Sequence, residues 1–514
     1  MNKGMNRRDF LKVVGTGAAV VSVPALMSGC TTQAIKPDMQ VGAHGTYFDQ
    51  FGVDTGLIRR TLEKGLSRGG DFSDVFLQHK IEHWVGMEDG EVNRAYTTVD
   101  LGAGIRVLKG DATGFAYCED LTEQALLAAA ATAAAVADSS AAAKQQPLAA
   151  VKVENHYTIE VPWTDVGIDK KLPIIKRTNQ KARGRDKRII KVTIYLSDTT
   201  SRILVANSEG LLVEDDQPMA LLVANCVAQD KGKTEVGYQT GSSRDDLRFF
   251  SDPLVDRVAQ EAADYTTMLF DAVEPPVGEL PVVLAPGVTG ILLHEAMGHG
   301  FEADFNRKGI SIYANRIGKK IAPDFVTIFD DATNERLRGS INIDDEGMEG
   351  QRTVLVENGI LRSYMHDRIS ANHYRTKSTG SGRRQSFRYP PVPRMRNTYM
   401  INGPHKPEEI IKSVKKGLYA EVFSNGQVQI GAGDFTFFLK HGRMIEDGKL
   451  THVVKDANII GSGPKVLEAV KMVGDDMQMF SGSGWCGKDG QRVPVGFGLP
   501  TVKAGGMSIG GRRS

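Results

Sequence analysis

The chain has 514 residues, with 63 basic against 62 acidic side chains and 7% aromatics. Balanced charge and the lack of any long basic run exclude an electrostatic nucleic-acid footprint, and the absence of a long polar tract excludes extensive disorder. The length suffices for two large domains or three small ones, while four cysteines (Cys30, Cys118, Cys226 and Cys486) are too few for a disulfide scaffold.

The N-terminus reads as an address. Asn6, Arg7, Arg8, Asp9, Phe10, Leu11 and Lys12 precede an apolar stretch from Val13 to Met27 that is too short to span a bilayer comfortably. Paired arginines before a mildly apolar segment are similar to a twin-arginine export signal, with a plain secretory signal as the alternative. Leu26, Met27, Ser28, Gly29 and Cys30 resemble a lipobox, which predicts a lipid on Cys30 as the first mature residue. The expected product is exported to the periplasm or cell envelope and membrane-anchored at Cys30. Residues 1–30 are thus signal and 31–48 a polar tether.

Residues 49–275 are expected to form an N-terminal mixed α/β domain. An amphipathic helix runs from Asp54 to Gly69 with Leu57, Ile58, Leu62 and Leu66 on one face. Asp74 to Tyr117 reads as hairpins broken at Glu88–Gly90, Gly102–Gly104 and Lys109–Gly110. The alanine-dense run Leu121–Asp138 is predicted helical, capped by Asp120 or Thr122, its alanines allowing close packing on a sheet. A helix over Asp169–Lys181 follows. Strands then return over Arg188–Asp230, with turns at Ser197–Thr199 and Ser208–Gly210, and Asp252–Phe270 is a further amphipathic helix. Cys118 and Cys226 sit in apolar runs and read as buried thiols. Glu274–Pro281 reads as a linker.

Residues 276–514 are expected to form a β-rich domain. Asn358-Gly359 and Asp447-Gly448 are hairpin turns, and Pro407–Tyr419 is a short helix. The fold class is therefore α+β with two strand-rich domains, the second carrying a short helix with the main chemical signal.

That signal is His294-Glu295-Ala296-Met297-Gly298-His299, after the apolar residues Ile291, Leu292 and Leu293. In zinc hydrolases two helical histidines hold the metal and the adjacent Glu accepts a proton from water. The usual spacing is i and i+4, about 40° apart on a helical wheel; here it is i and i+5, about 140° apart. Either the helix carries a bulge or His299 lies just past its end, and Gly298 and Gly300 permit both. The alternative is two unrelated histidines on a buried helix. A catalytic zinc site takes three protein ligands. Cys486, in a glycine-rich loop, is the best third candidate, with Glu302 and Asp304 as rivals; Glu302 is equally suited to orienting a ligand. Asp344, Asp345 and Glu346 form an acidic turn read as solvated, or as a second cation site. Arg383 and Arg384, on a long loop with prolines and aromatics, are candidates for gripping a peptide or an oxyanion, or else an exposed basic loop. His366 and His373 read as surface histidines or further ligands.

The run His294–Arg307 resembles the signature of the TldD/PmbA metallopeptidase family, TldD branch. Ile343–Gly347, Thr379–Arg384, Pro393–Tyr399, Ile459–Gly463 and Cys486–Gln491 resemble it too, in the same order. The resemblance implies Zn2+ held by His294, His299 and Cys486, with Glu295 as general base. It implies peptidase activity on unfolded peptides held in extended form against a sheet edge inside a closed chamber. It also implies a homodimer or a heterodimer with a TldE/PmbA-like subunit, and no nucleic-acid partner. The export signal departs from the family's usual cytoplasmic form. The competing expectation is a lipid-anchored binding or assembly factor that holds peptide without cutting it.

Overall fold

The computed structural model describes residues 45–137 and 143–511. The export and lipid signals lie outside the described residues. Gly45–Ser514 forms one compact unit. Among the described residues no helix is long and apolar enough to cross a membrane.

A seven-stranded sheet frames the first half: β1 (Phe72–Glu88), β2 (Glu91–Lys109), β3 (Ala112–Cys118), β4 (Ala149–Ala150), β5 (Ile189–Asn207), β6 (Leu211–Asp230) and β7 (Lys233–Ser243). The order is β3-β2-β1-β5-β6, with β4 and β7 both paired to β6. The first hairpin turns at Asp89 and Gly90, both at positive φ, which favours the twist of the flanking strands.

Two expected turns are absent. β2 runs straight through Gly102–Gly104, and β5 through Ser197–Thr199. The glycines serve close approach instead: a Cβ at Gly102 would lie 2.3 Å from the Phe387 ring, and one at Gly104 2.5 Å from the Phe387 carbonyl. Asp198, a turn-former by composition, is fully buried in β5, where Lys171 and His83 hold its carboxylate at 2.5 and 2.7 Å.

Helix α1 (Thr55–Leu66) starts at Asp54, whose carboxylate accepts from the Leu57 N–H. Helix α2 (Glu123–Ala134) starts at Thr122, whose hydroxyl accepts from Ala125. α1 packs on β1 and β2 and α2 on β2 and β3, around Leu62, Val75, Ile105, Leu126 and Ala130. The alanines do bring α2 close: a Cβ at Gly114 would sit 2.0 Å from the Ala133 carbonyl. Helices α3 (Ile168–Arg183) and α4 (Asp252–Met268) enclose a second core with Ile194, Leu222 and Cys226.

The second half holds a barrel and a six-stranded sheet. Strand Gly278–Leu284 begins inside the segment read as a linker. With Lys416–Gln429, Asp434–Glu446, Lys449–Ser462 and Val502–Gly511 it forms a ring, because the Lys449–Ser462 strand pairs with both Asp434–Glu446 and Val502–Gly511. Closure removes exposed edges, and Phe435, Phe437, Leu439, Ile459 and Met507 belong to its apolar core. The fold is α+β with strand-rich halves, as the pattern predicts. The helix expected over Pro407–Tyr419 ends at Lys412; Lys416 onward joins the barrel strand, Gly417 lying against the Pro281 carbonyl.

The acidic turn is not solvated. Asp344 and Glu346 are buried; Glu346 accepts from Arg106 at 2.7 Å, and Asp344 accepts from the backbone N–H groups of Glu346, Met348 and Gly382. Nor is the loop of Arg383 and Arg384 exposed. It carries Phe387 into a small apolar cluster with Phe76, Ile203, Val205, Val213 and Ile343, which ties the two halves together. Phe387→Ala empties that cluster; the expected loss is about 3–5 kcal/mol, read as a lowered denaturation midpoint in urea.

Candidate active site

The site begins where the Gly278–Leu284 strand leaves the barrel. Gly287, at φ +82°, turns the chain, and the Thr289 hydroxyl donates to the Ala285 carbonyl. The helix Gly290–Leu293 then rests on bare backbone, since a Cβ at Gly290 would lie 2.8 Å from the Gly498 nitrogen. Leu292 and Leu293 bury the inner face.

From His294 to Gly298 the helix widens into one π turn, in which the His299 N–H donates to the His294 carbonyl. An i→i+5 bond stacks residue i+5 one turn above residue i, so it cancels the angular mismatch of the spacing. A 3₁₀ turn, His299–Phe301, ends the segment. The two imidazole centres are 5.2 Å apart. Gly298 is not there for backbone freedom: its φ of −54° and ψ of −52° are helical. It is there because a Cβ would lie 2.1 Å from the Met395 sulfur.

Cys486 arrives on a hairpin, Trp485–Lys488 paired with Gln491–Pro494. It is fully buried, with Sγ 3.5 Å from His299 Nε2. Burial alone would raise the thiol pKa, but His299 and His294 together hold it well below the usual range. The ligating atoms of His294, His299 and Cys486 all lie within 4.8 Å of one another. His294 is buried, yet neither ring nitrogen has a hydrogen-bond partner. A buried polar ring without partners is costly unless something absent from the chain pairs with it. Tetrahedral ligands at ~2.0–2.3 Å from an ion stand about 3.5 Å apart, so this donor set fits a thiophilic divalent metal.

Glu295 reaches the same space. Its carboxylate is 3.9 Å from His299 Nε2 and its side chain 19% exposed, the most open group of the set. Burial raises its pKa, against the pull of the two histidines. Glu302 is not in the donor triangle. Its Oε2 takes the Nδ1 side of His299 at 2.9 Å, leaving Nε2 turned towards Cys486. Burial would raise the Glu302 pKa, but Lys488, His299 and Arg394 bring it down to about 2. Asp304, the other rival, pairs with Lys488 at 2.7 Å.

Arg383 and Arg384 are both buried. Arg383 donates to the carbonyls of Met395 and Pro494, and Arg384 to those of Asp345 and Tyr389. His366 is buried, its pKa pushed down to about 4 by that burial, and His373 is exposed; neither joins the triangle. Lys488, Arg394 and Met395 are not singled out by spacing. The signal that marks Lys488 is Asp489-Gly490, a hairpin turn at positive φ, which makes Cys486 and Lys488 same-face neighbours on a strand.

Three sequence profiles match in order: PmbA/TldA metallopeptidase domain 1 over residues 73–137, the central domain over 161–270 and the C-terminal domain over 277–511. The chain belongs to the PmbA/TldD metallopeptidase family. A metalloprotease TldD homolog of Buchnera aphidicola subsp. Acyrthosiphon pisum is 40% identical over 458 residues, covering 88% of this chain and 95% of the relative. One from Haemophilus influenzae is 37% identical, covering 86% and 94%. Among solved structures, TldE from Thermococcus kodakarensis superposes with a TM-score of 0.70 at 20% identity, covering 89% of this chain and 99% of that one. A Thermotoga maritima protein described as a putative modulator of a DNA gyrase gives 0.72 at 19% identity, covering 90% and 100%. Those two show the fold; the TldD relatives show a metallopeptidase, which uses a metal.

The Gly298 contact yields a direct check. Gly298→Ala should destabilise the chain by about 1–3 kcal/mol in thermal denaturation. Adding Met395→Ala should recover part of that loss, because the clash is with the Met395 sulfur.

Proposed function

We propose that the chain is a zinc-dependent peptidase in which His294, His299 and Cys486 hold the ion and Glu295 moves the proton. The observation that carries this reading is the convergence of three buried donors within 4.8 Å, one of them a histidine whose ring nitrogens have no hydrogen-bond partner. Zinc supplies a Lewis acid and activated water when bound, tempered by the charge of a thiolate ligand. The remaining work falls to the chain. Glu302 fixes the His299 ring so that its Nε2 faces the donor triangle. Glu295, whose pKa is raised by burial, accepts a proton from the attacking water and returns it to the leaving amine nitrogen. Arg383 and Arg384 are buried, and their guanidinium groups donate to backbone carbonyls.

The substrate is an unfolded peptide held in extended form at a sheet edge. The partner is a TldE/PmbA-like subunit or a second copy of this chain, a reading supported by the shared fold with TldE. Export by the twin-arginine route, and a lipid on Cys30 that places the enzyme in the cell envelope, rest on residues 1–30 of the sequence.

The test is hydrolysis of an unfolded peptide mixture by the zinc-loaded chain, with metal content measured alongside. Glu295→Gln should keep its zinc and cut about 10²–10⁴-fold more slowly. Chelation should abolish cutting and zinc restore it. Unchanged cleavage after chelation would overturn the metal reading, and unchanged cleavage by the zinc-loaded variant would remove Glu295 from its role.

A further inference from the structure

Lys488 carries a positive charge into the interior: its ammonium is buried, and its side chain is 3% exposed. Three acceptors surround it: Asp304 Oδ1 at 2.7 Å, the Pro393 carbonyl at 3.0 Å and Glu302 Oε2 at 3.1 Å. The Phe305 ring lies 4.2 Å away. Two of these are hydrogen bonds, to Asp304 and Pro393, and the third is an ion pair with Glu302. An ion so enclosed is tolerated because Glu302 and Asp304 oppose its charge, and a hydrophobic side chain in its place would leave both carboxylates buried without their cation.

What distinguishes Lys488 is the atom it shares. Glu302 Oε2 receives both Lys488 Nζ and the Nδ1 side of His299. Lys488 and Cys486 stand on the same face of one strand, two residues apart. The hairpin therefore meets the histidine segment twice. Cys486 meets His299 directly at Nε2, and Lys488 meets it through Glu302 at Nδ1. The two contacts lie on opposite nitrogens of one imidazole, which fixes the ring against both rotation and flipping.

We infer that Lys488 is a positioning residue for the metal centre: it clamps Glu302 so that His299 keeps its Nδ1 hydrogen bond and presents Nε2 beside Cys486. The inference rests on the proposed assignment of His294, His299 and Cys486 as ligands. Groups that hold the far nitrogen of a metal-bound histidine typically affect affinity by about 10–100-fold. Lys488 would act one bond further out, through Glu302.

The test is zinc affinity of the whole chain by competition with a chromophoric chelator, a readout independent of peptide cleavage. Lys488→Met and Glu302→Gln should each weaken zinc binding by about 10–100-fold, and the pair together no more than the worse single change. Asp304→Asn, which touches Lys488 but not His299, should cost less. Should Lys488→Met fail to fold by circular dichroism, Lys488→Arg serves in its place, keeping the charge while displacing the donors, with weakened binding again expected. Wild-type affinity in the folded Lys488 variant overturns the inference, as does additivity of the two changes. A loss in Asp304→Asn equal to that in Lys488→Met, with Glu302→Gln unaffected, also overturns it. His294→Ala separates the two levels: if it too binds zinc as wild type does, the ligand assignment has failed rather than the clamp.

Discussion

The site depends on one backbone hydrogen bond, from the His299 N–H to the His294 carbonyl. Had the segment kept its i→i−4 pattern, the two imidazoles would point about 140° apart and no ion could touch both. The π turn brings their centres to 5.2 Å. Such a turn is rare in isolation, and the surroundings hold this one in place. Gly290 seats the helix against the Gly498 backbone, Gly463 sits against the Ala296 carbonyl, and Met395 fills the space that a side chain at position 298 would need. Each contact comes from a different part of the second half, so the widened turn is a product of assembly.

Around it, charge is buried in a way that resists rearrangement. Arg106 of the first half, fully buried, pairs with Asp74 beside it and with Glu346 of the second half. Removing one member of such a pair leaves an uncompensated buried charge, at about 3–5 kcal/mol. Docking of the halves in any other register separates these partners and incurs that penalty. The apolar contacts agree with the ionic ones: Phe387 lies on Gly102 and Gly104, and Gly347, at φ +81°, on Leu211. The acidic turn and the arginine loop, both candidates for ligand work by composition, are thus the joint between the halves.

The chemistry of the donor set suits its position. Burial disfavours ionised groups, and Cys486, Glu302 and Lys488 are all buried beside the histidines. Opposite charges at contact distance make this tolerable: the imidazoles hold the thiol low, and Lys488 with His299 holds Glu302 low. Glu295, 3.9 Å from His299 Nε2, is the most open member, and burial still raises its pKa against the pull of the two histidines, which suits its carboxyl to exchanging a proton.

Periodicity and local chemistry were enough to read the helices at Thr55, Glu123, Ile168 and Asp252 and the hairpins at Asp89-Gly90, Asn358-Gly359 and Asp447-Gly448, because caps and turns are decided within a few residues. The histidine pair and its glutamate were equally plain, since the whole motif lies in six residues. Local reading failed where a residue's role was set by a distant neighbour. Gly102 and Gly104 look like a turn but make room for Phe387, and Asp198 looks like a turn but balances Lys171. Asp344 and Glu346 look solvated but face a buried arginine and backbone donors. Cys486 stands 187 residues from His299, and no pattern in either segment specifies their 3.5 Å approach. By itself the sequence determined which groups were available and the conformations of short segments, because those follow from nearest neighbours along the chain. Only the tertiary structure decided which groups meet, because burial and close approach are properties of segments packed together.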